Sequence, residues 1–195
     1  MQQTWVAAQN GGAPWQTANG TTLSTAATAT LSPTAAGTGG DPLIYSFAQG
    51  QVFRVTAQGI YTMGSTATNG TFQLFASTSG TAASGGTSLA STGAFALPVS
   101  VTNLFWRIEL LAQVRAMAQG TATATISTHG ALFLQTAAFA GSANTAVLPM
   151  PATAGPTAAN IDTTVTHTMA LVGTLSQVTG SPTITCTQFV IESVY

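Results

Sequence analysis

Residues 104–117, LFWRIELLAQVRAM, alternate between two kinds of side chain along their whole length. One set comprises Leu104, Trp106, Ile108, Leu110, Ala112, Val114 and Ala116, and the other comprises Phe105, Arg107, Glu109, Leu111, Gln113, Arg115 and Met117. Successive side chains of a strand point to opposite faces of its sheet, so the pattern predicts one long strand. Ala, Leu, Gln and Arg also favour helix, but the apolar stripe of a helix repeats about every 3.6 residues and does not fit this alternation.

The flanking sequence shows the same period of two. Phe53, Val55 and Ala57 alternate with polar residues, and TFQLFAS (71–77) places Phe72 and Leu74 on one face. TATATISTHGALFLQT (121–136) alternates again and predicts a hairpin partner for 104–117, with a turn at Gln119–Gly120. Residues 161–176 and 181–195 predict two further strands joined by the turn QVTGSP. Two segments are interpreted as connections: a Gly/Ser/Thr loop at 77–88, and the proline-containing segment 141–160.

About eight strands without a helix predict an all-β fold, an antiparallel two-sheet sandwich of the jelly-roll type. An immunoglobulin sandwich is the alternative. It is disfavoured by the strand count and because the single cysteine, Cys186, leaves no partner for a disulfide within the chain. Residues 1–42 are rich in Gly, Ala, Thr, Asn and Pro without a sustained period, and we interpret them as an extended N-terminal arm. Residues 43–195 form the sandwich domain in this interpretation.

Charge is almost absent: three arginines and four acidic residues make 4% of the 195 residues, against about 25% in ordinary soluble domains. They are Arg54, Arg107, Arg115, Asp41, Glu109, Asp162 and Glu192. The chain has no cluster of basic residues with which to neutralise phosphates, so a nucleic-acid partner is not expected. A net charge of −1 gives little electrostatic repulsion between copies, which favours association.

The chain holds little material for catalysis or metal binding. His129 is expected to end a strand beside Gly130, and His167 alternates with apolar residues, so neither is placed as a metal ligand. A triad of a serine with His167 and Asp162 has no GxSxG motif to support it. We therefore expect no enzyme activity, no cofactor and no metal. The most apolar stretch, 104–117, contains three charges, and no segment has the apolar length of a membrane helix, so no membrane role is expected.

Five residues are candidates for contacts between subunits. Trp5 and Trp15 are large apolar anchors in the arm, suited either to docking on a neighbour or to covering the domain's own core. Arg107, Glu109 and Arg115 share one face of the predicted strand 104–117. They form either a solvated face with a weak ion pair or an interface that orients neighbouring subunits.

The sequence also resembles a protein family. The segments FRVTAQGIYTMGSTATNGTFQLFA (53–76), FWRIELLAQVRAMAQGTATATISTHG (105–130) and the closing IDTTVTHTMALVGTLSQVTGSPTITCTQFVIESV (161–194) are similar to small jelly-roll virion proteins of tailed bacteriophages. The resemblance spans about 150 of the 195 residues. It carries no catalytic signature.

The resemblance implies a non-enzymatic structural protein of the virion, assembled in the host cytoplasm. It implies a capsid decoration or cement protein that forms homotrimers and contacts the major capsid protein or other virion proteins. A minor tail or receptor-binding protein is the alternative within this class. A carbohydrate-binding module is the alternative from another class, because jelly rolls also host lectins.

Overall fold

The computed structural model describes residues 5–6, 22–23, 28–30, 49–77, 86–117, 123–137, 144–152, 157–162 and 168–194. Its regular elements are thirteen strands. They are β1 (Trp5–Val6), β2 (Thr22–Leu23), β3 (Thr28–Thr30), β4 (Val52–Met63), β5 (Thr68–Ser77), β6 (Thr87–Ser91), β7 (Phe95–Leu97), β8 (Val101–Met117), β9 (Thr123–Gln135), β10 (Thr145–Met150), β11 (Thr157–Asp162), β12 (Thr168–Leu175) and β13 (Thr183–Ser193). The predicted all-β class is confirmed.

The strands form two antiparallel sheets that pack against each other. The first sheet has the order β1-β13-β4-β8-β9-β10, with β2 also on β13 and β11 also on β9. The second has the order β3-β12-β5-β6, with β7 also on β5. β4 pairs with the last strand and β5 with the second-last, a nested arrangement of the kind found in a jelly roll. The predicted antiparallel sandwich is therefore present.

The core lies between the sheets and follows the alternation read from the sequence. On β8 the residues predicted to face inward are buried from Leu104 to Val114, while Ala116 is exposed because the register shifts between Val114 and Ala116. Trp106 is fully buried, and its ring lies 4.8 Å from that of Phe72, measured between centroids. This contact joins the centres of the two sheets. Burying such large rings supplies much of the driving force for packing.

Three predictions about the strands are wrong: the connection at 141–160, the single strand at 161–176 and the strand end at His129. Segment 141–160 is not only a connection, because it contains β10 and β11, which pair with successive parts of β9. Pro149 fits β10 since this strand lies at the sheet edge, where a missing N–H costs no ladder bond. Residues 161–176 do not form one strand: Ile161 and Asp162 end β11 in the first sheet, and Thr168 begins β12 in the second.

His129 does not end a strand. β9 continues through Gly130 to Gln135, because the glycine fits where the backbone of β8 approaches closely. A Cβ at Gly130 would clash with the carbonyl oxygen of Glu109. The predicted strand break therefore becomes the middle of a long strand.

The predicted N-terminal arm is described only at β1, β2 and β3. The backbone of Trp5–Val6 pairs with the end of β13, β2 pairs with its beginning, and β3 pairs with β12. The described parts of the arm thus extend the edges of both sheets. The domain boundary at residue 42 stays a prediction, and Trp15, Asp41 and His167 lie outside the described residues.

The outer faces of the two sheets differ. On the second sheet, Ala170 and Val172 are almost fully buried and form a small cluster apart from the core, with Phe75 packed against it. On the first sheet, the side chains of β4 and β8 that point away from the core are exposed or half-buried. The outer face of the first sheet is the more open one, and it carries polar and charged side chains.

Candidate contact surface on the first sheet

The register of the first sheet gathers charged residues from separate segments. Arg107 on β8 lies opposite Gln58 on β4, and Leu111 lies between Arg54 on β4 and His129 on β9. Residues directly opposite each other in a sheet point to the same face, so these side chains share the outer face. In the same row, the backbone position of Glu192 on β13 lies opposite Arg54.

Arg107 and Glu109 form an ion pair on this face. They are two residues apart on β8 and therefore project on the same side, and the Arg107 guanidinium contacts the Glu109 carboxylate. Each side chain keeps 45% of its surface exposed. Solvent screens such a pair, so it contributes little to the stability of the folded chain, about 0 to 1 kcal/mol. Its exposure leaves both groups accessible to a partner.

An open hollow of about 550 Å³ lies over this part of the sheet. The polar side chains around it are those of Arg54, Thr56, Arg107, Glu109 and His129. The lining thus combines the guanidinium groups of Arg54 and Arg107 with the imidazole of His129. It also includes the Glu109 carboxylate, which pairs with Arg107. Among the described side chains that line the hollow, Glu109 is the one carboxylate. The arrangement suits polar contacts with a partner surface.

An apolar patch adjoins the charged groups. It consists of Ile60 on β4, Phe105 on β8, Phe133 on β9 and Val147 on β10. Ile60 lies opposite Phe105, and Phe133 lies opposite both Arg107 and Val147. Ile60, Phe105 and Val147 are 39%, 41% and 59% exposed, and Phe133 is half-buried. Contiguous exposed apolar side chains with a polar rim are typical of protein interaction sites.

The residues predicted as contacts are only partly brought together. Arg107 and Glu109 lie at the centre of this face. Arg115 is exposed near the far end of β8, beside the register shift. The backbone of Trp5 lies at the edge of the same sheet, opposite Ser193, and Trp15 is not described. Whether any of these residues contacts another subunit stays a prediction.

Sequence reasoning missed Arg54, His129 and the apolar patch as members of the surface. The outward position of Arg54 was visible in the alternation of residues 53–58. The residues that lie beside Arg54 could not be predicted from the alternation, because the register between β4 and β8 depends on the pairing of distant segments. The partners of Phe133 were hidden for the same reason, since β10 was interpreted as part of a connection.

The buried titratable groups face the core and hold their protons. Burial raises the pKa of the Cys186 thiol to about 12, and the thiol donates to the carbonyl oxygen of Gln188 at 3.2 Å. Burial also raises the pKa of Tyr61 above its ordinary value, and its hydroxyl donates to the carbonyl oxygen of Gln135. A protonated, buried thiol is a poor nucleophile. Both residues act as core side chains.

Neither a cluster of metal ligands nor a membrane-spanning helix is present in the described ranges. No three His, Cys, Asp or Glu residues among them are grouped closely enough to hold a metal ion. Within the same ranges, no helix has the length and apolar character needed to cross a membrane.

Comparisons of the chain with models of protein families, with curated proteins and with solved structures find no match.

Proposed function

We propose that the chain is a non-enzymatic structural subunit of a tailed-bacteriophage particle, most specifically a capsid decoration or cement protein that assembles as a homotrimer. In this role it binds the major capsid protein or other virion proteins. The proposal combines the resemblance of three sequence segments to phage virion proteins with one feature of the fold, the outer face of the first sheet.

The composition of that face supports the proposal. The whole chain has seven charged residues, and Arg54, Arg107 and Glu109 project from neighbouring strands of this one sheet. The apolar patch lies beside them. A subunit that is incorporated in a particle needs few charges for solubility. Its polar and apolar contact residues are concentrated where neighbouring subunits bind. The near absence of charge and the composition of the face support the same role.

The test begins with purified particles. Phage is propagated on a host that supplies the chain with a short C-terminal tag, and the particles are banded in a density gradient and labelled with gold-conjugated antibody. We expect label over the head surface and a fixed copy number per particle by quantitative mass spectrometry. Particles made on a host supplying the untagged chain provide the matched control for antibody specificity.

Other outcomes separate the alternatives. Label confined to the tail tip would replace the decoration role with that of a minor tail or receptor-binding protein. Absence of the chain from banded particles, combined with binding of the purified chain to polysaccharide on a glycan array, would favour a carbohydrate-binding module. Absence of the chain from particles, without any glycan binding, would contradict both the virion role and the carbohydrate-binding role.

A further inference from the structure

We infer that the outer face of the first sheet is the surface on which a second copy of this chain packs. The apolar patch forms the centre of that contact, and Arg107 and Glu109 pair across it. The inference rests on the proposed function, since it names the surface through which the homotrimer assembles.

The distribution of exposed apolar side chains points to this face. The described residues include five large hydrophobic side chains that are exposed: Ile60, Val99, Phe105, Met117 and Val147. Three of them belong to the apolar patch, where Phe133 joins them. Burying such side chains is favourable by about 25 cal/mol per Å² of apolar surface, so this is where covering the face gains the most free energy.

The face is large enough for a stable contact. Strands β13, β4, β8, β9 and β10 lie side by side, which gives a width of about 24 Å at about 4.8 Å per strand. The twelve residues of β4 extend about 40 Å at about 3.4 Å per residue. The resulting flat area of about 950 Å² exceeds the roughly 800 Å² per partner that a standard protein interface buries.

The charges on the face are complementary to those of a second copy. Arg107 and Glu109 lie two residues apart, so a neighbour displaced along β8 places its Glu109 against Arg107. Each copy offers both signs, so Arg107 of each copy can pair with Glu109 of the next around a closed ring, which is the heterologous contact that a cyclic trimer requires. Exchanging the ion pair within each chain for pairs between copies keeps both charges paired, whereas a partner of one dominant charge would place a like charge against one of the two. The mixed pair therefore favours another copy of this chain.

The central experiment measures mass in solution. Wild type, the double variant Phe105→Gln/Val147→Gln and the control Val99→Gln are compared by light scattering and sedimentation equilibrium from about 1 to 100 µM. Val99 is 45% exposed but lies outside the strands of both sheets, between β7 and β8. We expect wild type and Val99→Gln at about three times 19.6 kDa, and the double variant at 19.6 kDa with an unchanged circular dichroism spectrum.

Charge reversal gives a second readout that does not depend on the apolar substitutions. Arg107→Glu and Glu109→Arg are each expected to weaken assembly at least ten-fold, because each places like charges together across the contact. The double exchange Arg107→Glu/Glu109→Arg restores opposite charges across the contact and is expected to recover the wild-type mass. These variants decide the question if the apolar double variant does not fold.

The outcomes separate this inference from the proposed function. A wild-type trimer that is unaffected by the apolar and charge variants overturns the inference and leaves the trimer intact. A monomeric wild type at every concentration overturns the inference and the trimer, while labelling of particles still reports on the virion role. Dissociation of the control Val99→Gln alongside the double variant would also overturn the inference, because it would show no dependence on this face.

Discussion

Ile60 and Phe105 lie directly opposite each other on β4 and β8, and their side chains point away from the core with 39% and 41% of their surfaces exposed. Covering this pair of apolar side chains with another surface removes them from water, which is favourable in free energy. If copies associate here, only the folded state is stabilised by association, so stability rises with concentration. We expect the melting temperature of wild type to increase between about 2 and 200 µM, and that of Ile60→Thr/Phe105→Thr to stay constant. Differential scanning fluorimetry measures both, and a constant wild-type value would contradict the prediction.

Trp106 is the largest fully buried side chain among the described residues, none of which accepts a hydrogen bond from its indole N–H. Replacing it with alanine should lower the free energy of unfolding by about 3 to 5 kcal/mol, because a cavity opens against Phe72. Trp106→Phe should cost less than half as much, since it keeps the aromatic contact and removes the unpaired donor. Urea unfolding followed by circular dichroism measures both variants. Equal losses for the two would show that the contact with Phe72 contributes little.

Gly59 on β4 lies where the backbone of β13 comes close, beside the irregularity between Cys186 and Gln188. A Cβ at this position would clash with the carbonyl oxygen of Thr185, which is backbone and has no room to move away. Gly59→Ala should therefore cost about 3 kcal/mol or more, at the upper end of overpacking effects.

Gly70→Ala on β5 is the matched control for this substitution. Its Cβ would lie 3.0 Å from Leu97 Cδ1, the tip of a flexible side chain that has freedom to shift. We expect a loss of about 1 kcal/mol, measured by the same urea titration. A smaller loss at Gly59 than at Gly70 would mean that β4 and β13 separate readily.

Cys186 is fully buried, and its thiol pKa is raised to about 12 by burial. At about pH 8 the native thiol should react with Ellman's reagent at least a hundred-fold more slowly than the same thiol in guanidinium chloride. In the unfolded chain the thiolate forms above about pH 8.5, whereas the folded chain keeps the proton until about pH 12. The free energy of unfolding should therefore fall as pH rises through this interval, and Cys186→Ala should show a smaller fall. Equal labelling rates in native and unfolded protein would contradict the burial.

Much of the fold was predictable because its strands are amphipathic. The alternation of residues 104–117 correctly indicated a long strand with Leu104 to Val114 facing the core, and the hairpin with the following strand is present as β8 and β9. The inward positions of Phe53, Phe72 and Leu74 were also predicted correctly. In each case, one face is apolar and the other polar, so the period of two is visible locally.

The errors fall where local pattern and tertiary position disagree. Pro149 indicated a loop, but a proline is tolerated in β10 because that strand pairs only with β9 among the described strands. Residues 161–176 alternate without a break, yet the chain passes from β11 in the first sheet to β12 in the second. A change of sheet leaves no mark in the alternation, because both sheets bury one side of each strand.

The sequence by itself determined the fold class, the inward and outward face of each long strand, and the scarcity of charge, because each follows from local composition and a period of two residues. Only the tertiary structure decided which strands are neighbours. Register places Arg54, Arg107 and His129 on one face and sets Ile60 opposite Phe105, although these residues come from separate segments. Such pairings are set by the packing of the whole core, since a shift of one residue would turn every buried side chain of a strand outward.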